Sequence, residues 1–172
     1  MHHKPAVLKS NRMRKEEIRI TVYNYSKPEE LPEGAARLIT QAQKATKNAW
    51  SPYSGYSVGA ALELTNGEII CGTNQENIAF PSGICAERVA LFYANSKYPG
   101  MAIKRMALAA FTNNQFVEKP VFPCGNCRQA LLEHENRVKS PVEVIMYGNS
   151  AIKVIKQISD LLPLPFDYEF GN

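Results

Sequence analysis

No apolar run in the 172 residues is as long as a signal-peptide core or a membrane span, which directs the reading toward a cytoplasmic protein without a membrane partner. Surplus charge is nearly absent beyond one end. The net charge of +4 sits in the first nineteen residues, where Lys4, Lys9, Arg12, Arg14, Lys15 and Arg19 face only Glu16 and Glu17. Of the twenty basic and sixteen acidic side chains, fourteen of each therefore remain from residue 20 onward. A groove for a nucleic-acid polyanion needs lysine and arginine spread over a folded face, so no nucleic-acid partner is expected and the basic stretch reads as a solvated arm. Histidine is scarce, and His2-His3 is too short a run to read as a metal site. Cysteine is limited to four, and in a reducing compartment those are metal ligands or core residues before they are disulfides. Repeats and low-complexity stretches are missing too.

What is present suffices for one core. With 45% hydrophobic residues, the chain reads as a basic extension over 1–26, which could carry an extra strand, followed by a single domain over 27–172. Ile18, Ile20 and Val22 alternate with polar neighbours as in a half-buried strand ending at Lys27-Pro28. Residues 31–48 place Ala35, Leu38, Ile39, Ala42 and Ala45 on one helical face, and Ser51-Pro52 terminates them. Strands over 56–64 and 68–72 flank Asn66-Gly67, a dipeptide suited to the positive-φ turn of a hairpin. A helix over 85–95, a strand over 105–111, a helix over 124–136 and a strand over 142–147 then alternate, which argues for α/β layering. A short strand over 152–155 and a helical turn over 159–162 close the pattern.

Cys85-Ala86-Glu87 and Pro123-Cys124-Gly125-Asn126-Cys127 supply three thiolates and a carboxylate that need not coordinate. Structural zinc sites close with four protein ligands, whereas hydrolytic ones use three and keep a position open. Pro123 suits the entry to a helix, which puts Cys124 near its N-cap and Cys127 on the same face three residues on. Cys85 follows the loop composition Pro81-Ser82-Gly83 and precedes helix-favouring residues, so a second helix start bears on the same cation. Glu87 is close enough to reach water in the open position as general base and then acid. Arg88 and Arg128 are placed to donate hydrogen bonds to the sulfurs.

These residues resemble the small, all-cysteine-ligand class of zinc-dependent cytidine deaminases, whose pattern includes a glutamate that is not a zinc ligand. The resemblance spans most of residues 35–166. It rests on Ser54-Gly55-Tyr56-Ser57-Val58-Gly59-Ala60-Ala61, Asn74-Gln75-Glu76-Asn77, Cys85-Ala86-Glu87-Arg88, Pro123 to Gln129, and Leu161 to Phe166. It implies a three-layer fold with a central mixed five-stranded sheet flanked by helices, one zinc ion per chain on Cys85, Cys124 and Cys127, and hydrolysis of cytidine and deoxycytidine to uridine and deoxyuridine with release of ammonia, as in pyrimidine salvage. Glu87 would move protons between water and N3. Asn74 and Glu76 would bind the ribose 3′-hydroxyl, Tyr56 would lie against the nucleoside, and backbone near Ala86 would meet the pyrimidine. Phe166 would cover the base in a neighbouring subunit, which implies a homotetramer with shared active sites. Tyr56 stands where many relatives carry Phe.

Two other readings stay open. One is a deaminase of a different cytosine compound, or of a base within nucleic acid. The other is a structural four-cysteine site completed by Cys71, although that residue falls in a strand where a small buried thiol is the commoner role.

Overall fold

Apolar residues at helical spacing give Ala35–Ala45 one greasy face, and in the computed structural model, which describes residues 13–166, that segment is helix α1 with Ala35, Leu38, Ile39, Ala42 and Ala45 buried. It is shorter than the stretch expected over 31–48. Gly34, at φ 81°, sets its start, and a tighter turn over Thr46–Asn48 ends it.

The described residues form seven strands, β1 (Tyr23–Tyr25), β2 (Ser57–Leu64), β3 (Ile69–Thr73), β4 (Ile103–Thr112), β5 (Gln115–Phe116), β6 (Glu143–Tyr147) and β7 (Ile152–Ile155). They form one sheet in the order β1-β7-β6-β4-β2-β3, with β5 paired to the end of β4. Among these strands the β4–β6 pairing alone is parallel, so the sheet is mixed as expected. The expected count of five is corrected to seven. The additions are β1, the extra strand that the stretch before Lys27-Pro28 could carry, and β5, two residues long and too short to leave a periodic signal.

Strand alternation divides the core between two faces. Ala60, Leu62, Leu64, Met106, Leu108, Val144 and Met146 point toward helices α2 (Ala86–Lys97) and α3 (Gly125–Val138). Ala61, Ala107, Ala109, Ile145, Ile152 and Val154 point toward α1. Alanines on the α1 side let that helix approach closely. At Gly59, a β-carbon would stand 2.0 Å from the Ala42 carbonyl oxygen. Gly72 has the same function on the other face, where a β-carbon would stand 2.4 Å from the Ala86 oxygen and 2.5 Å from the Ala90 nitrogen.

The expected hairpin forms, with Gly67 at φ 87° and the Leu64 amide donating to the Glu68 carbonyl. A second turn, Asn113-Asn114, has both φ values positive and joins β4 to β5 as a tight primed turn. Pairing at the amino-terminal edge begins only at Tyr23, opposite Val154. Ile18, Ile20 and Val22 lie outside the sheet and are exposed, so the strand expected to run from Ile18 to the Lys27-Pro28 turn is shortened to Tyr23–Tyr25. Among the described residues no helix is long and apolar enough to cross a membrane.

Candidate active site

Helices α2 and α3 both begin on a cysteine. Cys85 and Cys124 are their N-caps, each with extended backbone (φ −77° and −67°), and neither side chain caps the amides of its own helix. A serine or aspartate there would turn inward to cap free amides. A thiol caps poorly, so the sulfurs remain available to a ligand. Cys127, in the first turn of α3, is buried. Its sulfur lies 3.5 Å from that of Cys124, which is 3.7 Å from that of Cys85, and all three lie within 4.8 Å of one another. Zinc–sulfur bonds of about 2.3 Å in a tetrahedron put ligand sulfurs about 3.8 Å apart. The three thiols therefore fit one zinc ion with its fourth position open.

Cys71 is not in this group. It lies in β3 opposite Ala61 and is exposed rather than buried, so the four-cysteine reading has no geometric support.

The protons of the three thiols are already unevenly held. A hydrogen bond from Cys127, helped by the Arg88 guanidinium, pulls the Cys85 thiol down to about 5. Cys127 is pushed up, as the donor of that bond and by burial. Arg88 is near enough for its charge to act on Cys85 and Cys127, and its buried Nε has no hydrogen-bond partner among the described residues. Arg128 behaves differently. Its Nε donates to the Pro123 carbonyl at 2.8 Å and its Nη1 to the Leu161 carbonyl at 3.1 Å, so it fastens the loop before Cys124 to the carboxy-terminal segment. The expected bonds from Arg128 to sulfur are not among those formed. Glu87 is 5% exposed, and burial holds its carboxyl above the usual carboxylate range.

Glu87, Cys85, Ala86 and Cys124 line one side of a cleft of about 560 Å³, within the range of small-molecule sites. Tyr56, Val58, Asn74, Glu76 and Pro120 to Phe122 complete it. An adjoining lobe of about 420 Å³ shares Ser54, Asn74, Glu76 and Cys85, and includes Tyr53 and Phe80, whose rings meet edge to face at 5.8 Å. Residues 74–76 are held between two loops: Trp50 donates to the Asn74 carbonyl, Glu76 to the Trp50 carbonyl, and Gln75 exchanges both backbone bonds with Ile84.

Asn74 and Glu76 are both engaged within the chain. The Asn74 amide accepts from the Val58 N–H at 2.7 Å and donates to the Tyr56 carbonyl at 2.8 Å, bracing the start of β2. One Glu76 oxygen accepts from the backbone N–H groups of Tyr53 and Ser54 at 2.9 and 3.2 Å, while the other accepts from the Ser54 hydroxyl. These bonds, the hydroxyl's foremost, hold the Glu76 carboxyl below its ordinary range. Phe166 is 81% exposed and does not line the cleft of its own chain; its carbonyl accepts from Gln129 Nε2 at 2.9 Å.

Sequence reasoning gave no role to Ser54 or to Pro120–Phe122. The run of prolines ahead of the CxxC pair was the available signal for the latter. For Ser54 the signal was its place in the segment that carries Tyr56.

Comparison with known proteins agrees with this geometry. The sequence model described as "Cytidine and deoxycytidylate deaminase zinc-binding region" matches residues 32–141. A cytidine deaminase of Halalkalibacterium halodurans is 37% identical over 137 residues, covering 78% of this chain and 96% of the relative. One from Sporosarcina psychrophila is 44% identical over 58% of this chain and 69% of the relative. Among solved structures, cytidine deaminase from Burkholderia pseudomallei superposes with a TM-score of 0.65 at 35% identity, over 76% of this chain and 97% of that one.

Proposed function

We propose, since the chain belongs to the cytidine and deoxycytidylate deaminase family, that it hydrolyses the C4 amino group of cytidine and deoxycytidine, giving the uridine nucleoside and ammonia. The observation that carries the reading is the convergence of three sulfurs beside a buried carboxylate in a cleft of nucleoside scale. Cys85, Cys124 and Cys127 would hold zinc, which would supply Lewis acidity and lower the pKa of water in this cleft.

Glu87 handles the protons. Its carboxylate accepts one from the attacking water and delivers it to N3, which makes C4 electrophilic; a proton passed to the departing amino group then releases ammonia. Burial suits this group to the cycle, because a carboxyl held above the usual carboxylate range takes up a proton more readily than an exposed one. Arg88 offsets negative charge on the sulfurs of Cys85 and Cys127. Tyr56 and the backbone near Ala86 border the base, and Glu76 accepts a sugar hydroxyl. Asn74 holds β2 against them and offers its remaining amide proton to the sugar. The even charge of the chain beyond its amino-terminal arm favours a free nucleoside over nucleic acid.

The assembly is a homotetramer in which Phe166 reaches a neighbouring active site; its exposure, with that of Leu164, Phe92 and Tyr93, supports this. The compartment is the cytoplasm and the metabolic setting pyrimidine salvage.

The test is incubation of the purified protein with cytidine, following loss of absorbance and release of ammonia, with zinc counted in the same preparation. Turnover with about one zinc per chain supports the reading. One zinc per chain without turnover, on cytidine and on deoxycytidine tried in the same way, overturns the substrate assignment.

A further inference from the structure

We propose that Ser54 is a positioning residue for this reaction, its hydroxyl fixing the Glu76 carboxylate in the orientation that receives the nucleoside's sugar hydroxyl. The inference rests on the reading of Glu76 as the sugar contact.

The direction of the hydrogen-bond chain is forced. The Tyr56 backbone N–H, which can only donate, lies 3.0 Å from Ser54 Oγ, so the serine oxygen is the acceptor there. Its single proton is then left for Glu76, which as a carboxylate can only accept. A carboxylate offers about four lone-pair sites. Three are taken, two on one oxygen by the Tyr53 and Ser54 amides and one on the other by the Ser54 hydroxyl. One acceptor position remains, on the oxygen that the serine holds. The backbone bonds fix where the carboxylate sits, and the hydroxyl fixes its rotation. Both Ser54 and Glu76 line the cleft, so the remaining site is within reach of a bound sugar.

The competing role is a simple staple, with Ser54 only fastening residues 53–54 to residues 74–76. The two roles differ in substrate dependence, because a positioning effect disappears when the sugar lacks the hydroxyl that Glu76 receives.

The experiment measures kcat and KM for cytidine and for 3′-deoxycytidine with the wild-type enzyme and the variants Ser54→Ala, Ser54→Thr and Glu76→Gln, each at matched zinc content. Ser54→Ala is expected to raise the KM for cytidine about fivefold to tenfold with kcat within about twofold, the pattern of lost uniform binding. Ser54→Thr, which keeps the hydroxyl, restores most of it. With 3′-deoxycytidine the Ser54→Ala and wild-type KM values converge. An unchanged KM for cytidine in Ser54→Ala, while Glu76→Gln raises it, overturns the role of Ser54 and leaves Glu76 as the sugar contact. An equal loss on both substrates in Ser54→Ala makes the residue a staple and overturns the proposal. If Glu76→Gln fails to distinguish the substrates, the sugar-contact reading falls and the proposal with it.

Discussion

Gly72→Ala tests whether the sheet sets the position of the metal-bearing helix. The added β-carbon would stand 2.4 Å from the Ala86 oxygen, 2.5 Å from the Ala90 nitrogen and 3.0 Å from the Ala90 β-carbon, where ordinary contacts begin at 3.4 Å. The nearest neighbours are backbone, so no side chain can swing aside and the start of α2 must retreat by about 1 Å. That start carries Cys85 and Glu87. Overpacking of this kind costs about 1–3 kcal/mol, a fall in Tm of roughly 3–10 °C for a chain of this length. A 1 Å displacement of a positioned group costs about 100-fold in rate. The assay pairs thermal unfolding with kcat/KM for cytidine at known zinc content. Gly125→Ala is the control, because it lies beside a ligand cysteine in the first turn of α3 yet has nothing within 4 Å of its new carbon. It should be neutral or stabilised by up to about 1 kcal/mol. If Gly72→Ala keeps wild-type Tm and activity, or Gly125→Ala loses as much, close packing against β3 is not what places the site.

Two further outcomes follow from the geometry. Cys71→Ser should keep one zinc per chain by metal analysis and activity within about twofold, as for an exposed side chain remote from the metal; loss of zinc would make Cys71 a ligand after all. His134, 2% exposed, hydrogen-bonded to Asn95 at 2.9 Å and beside Arg137, has its pKa lowered from 6.5 to about 4, by burial first and then by the arginine's charge. Between those values the unfolded chain binds more protons than the folded one. The contribution is therefore complete above about pH 6.5 and drains by about 3 kcal/mol as the pH falls to 4. Denaturant midpoints across that window should fall less steeply for His134→Gln than for wild type, and parallel curves would remove His134 from the account.

The site was legible in the sequence where the chemistry is local. A CxxC pair behind a proline and a cysteine ahead of an alanine-rich run each announce a helix start, and the helix starts bring their sulfurs together. Legibility ended where function depends on which loop comes near. Residues 53–54 lie more than twenty positions from Glu76, and no local pattern says that their amides converge on its carboxylate. Arg128 follows Cys127 directly, nearer a ligand in sequence than Arg88 is to Cys85, yet carbonyls at Pro123 and Leu161 hold it. In the fold, alternation from Ile18 to Val22 predicted a strand running up to Lys27-Pro28, but only its end, Tyr23–Tyr25, forms, because a strand also needs a partner and β7 pairs only there. The exposure of Cys71 has the same origin, since β3 is an edge strand and the sequence cannot say which strand ends the sheet.

The most direct test of the central claim, three thiolates for zinc and a separate carboxylate for the protons, is zinc content and cytidine turnover measured together for Glu87→Gln. The account predicts zinc at the wild-type level and kcat lower by about a thousandfold, within the range expected for loss of a positioned general base and acid. A variant that turns over cytidine near the normal rate, or that sheds its zinc, would contradict it.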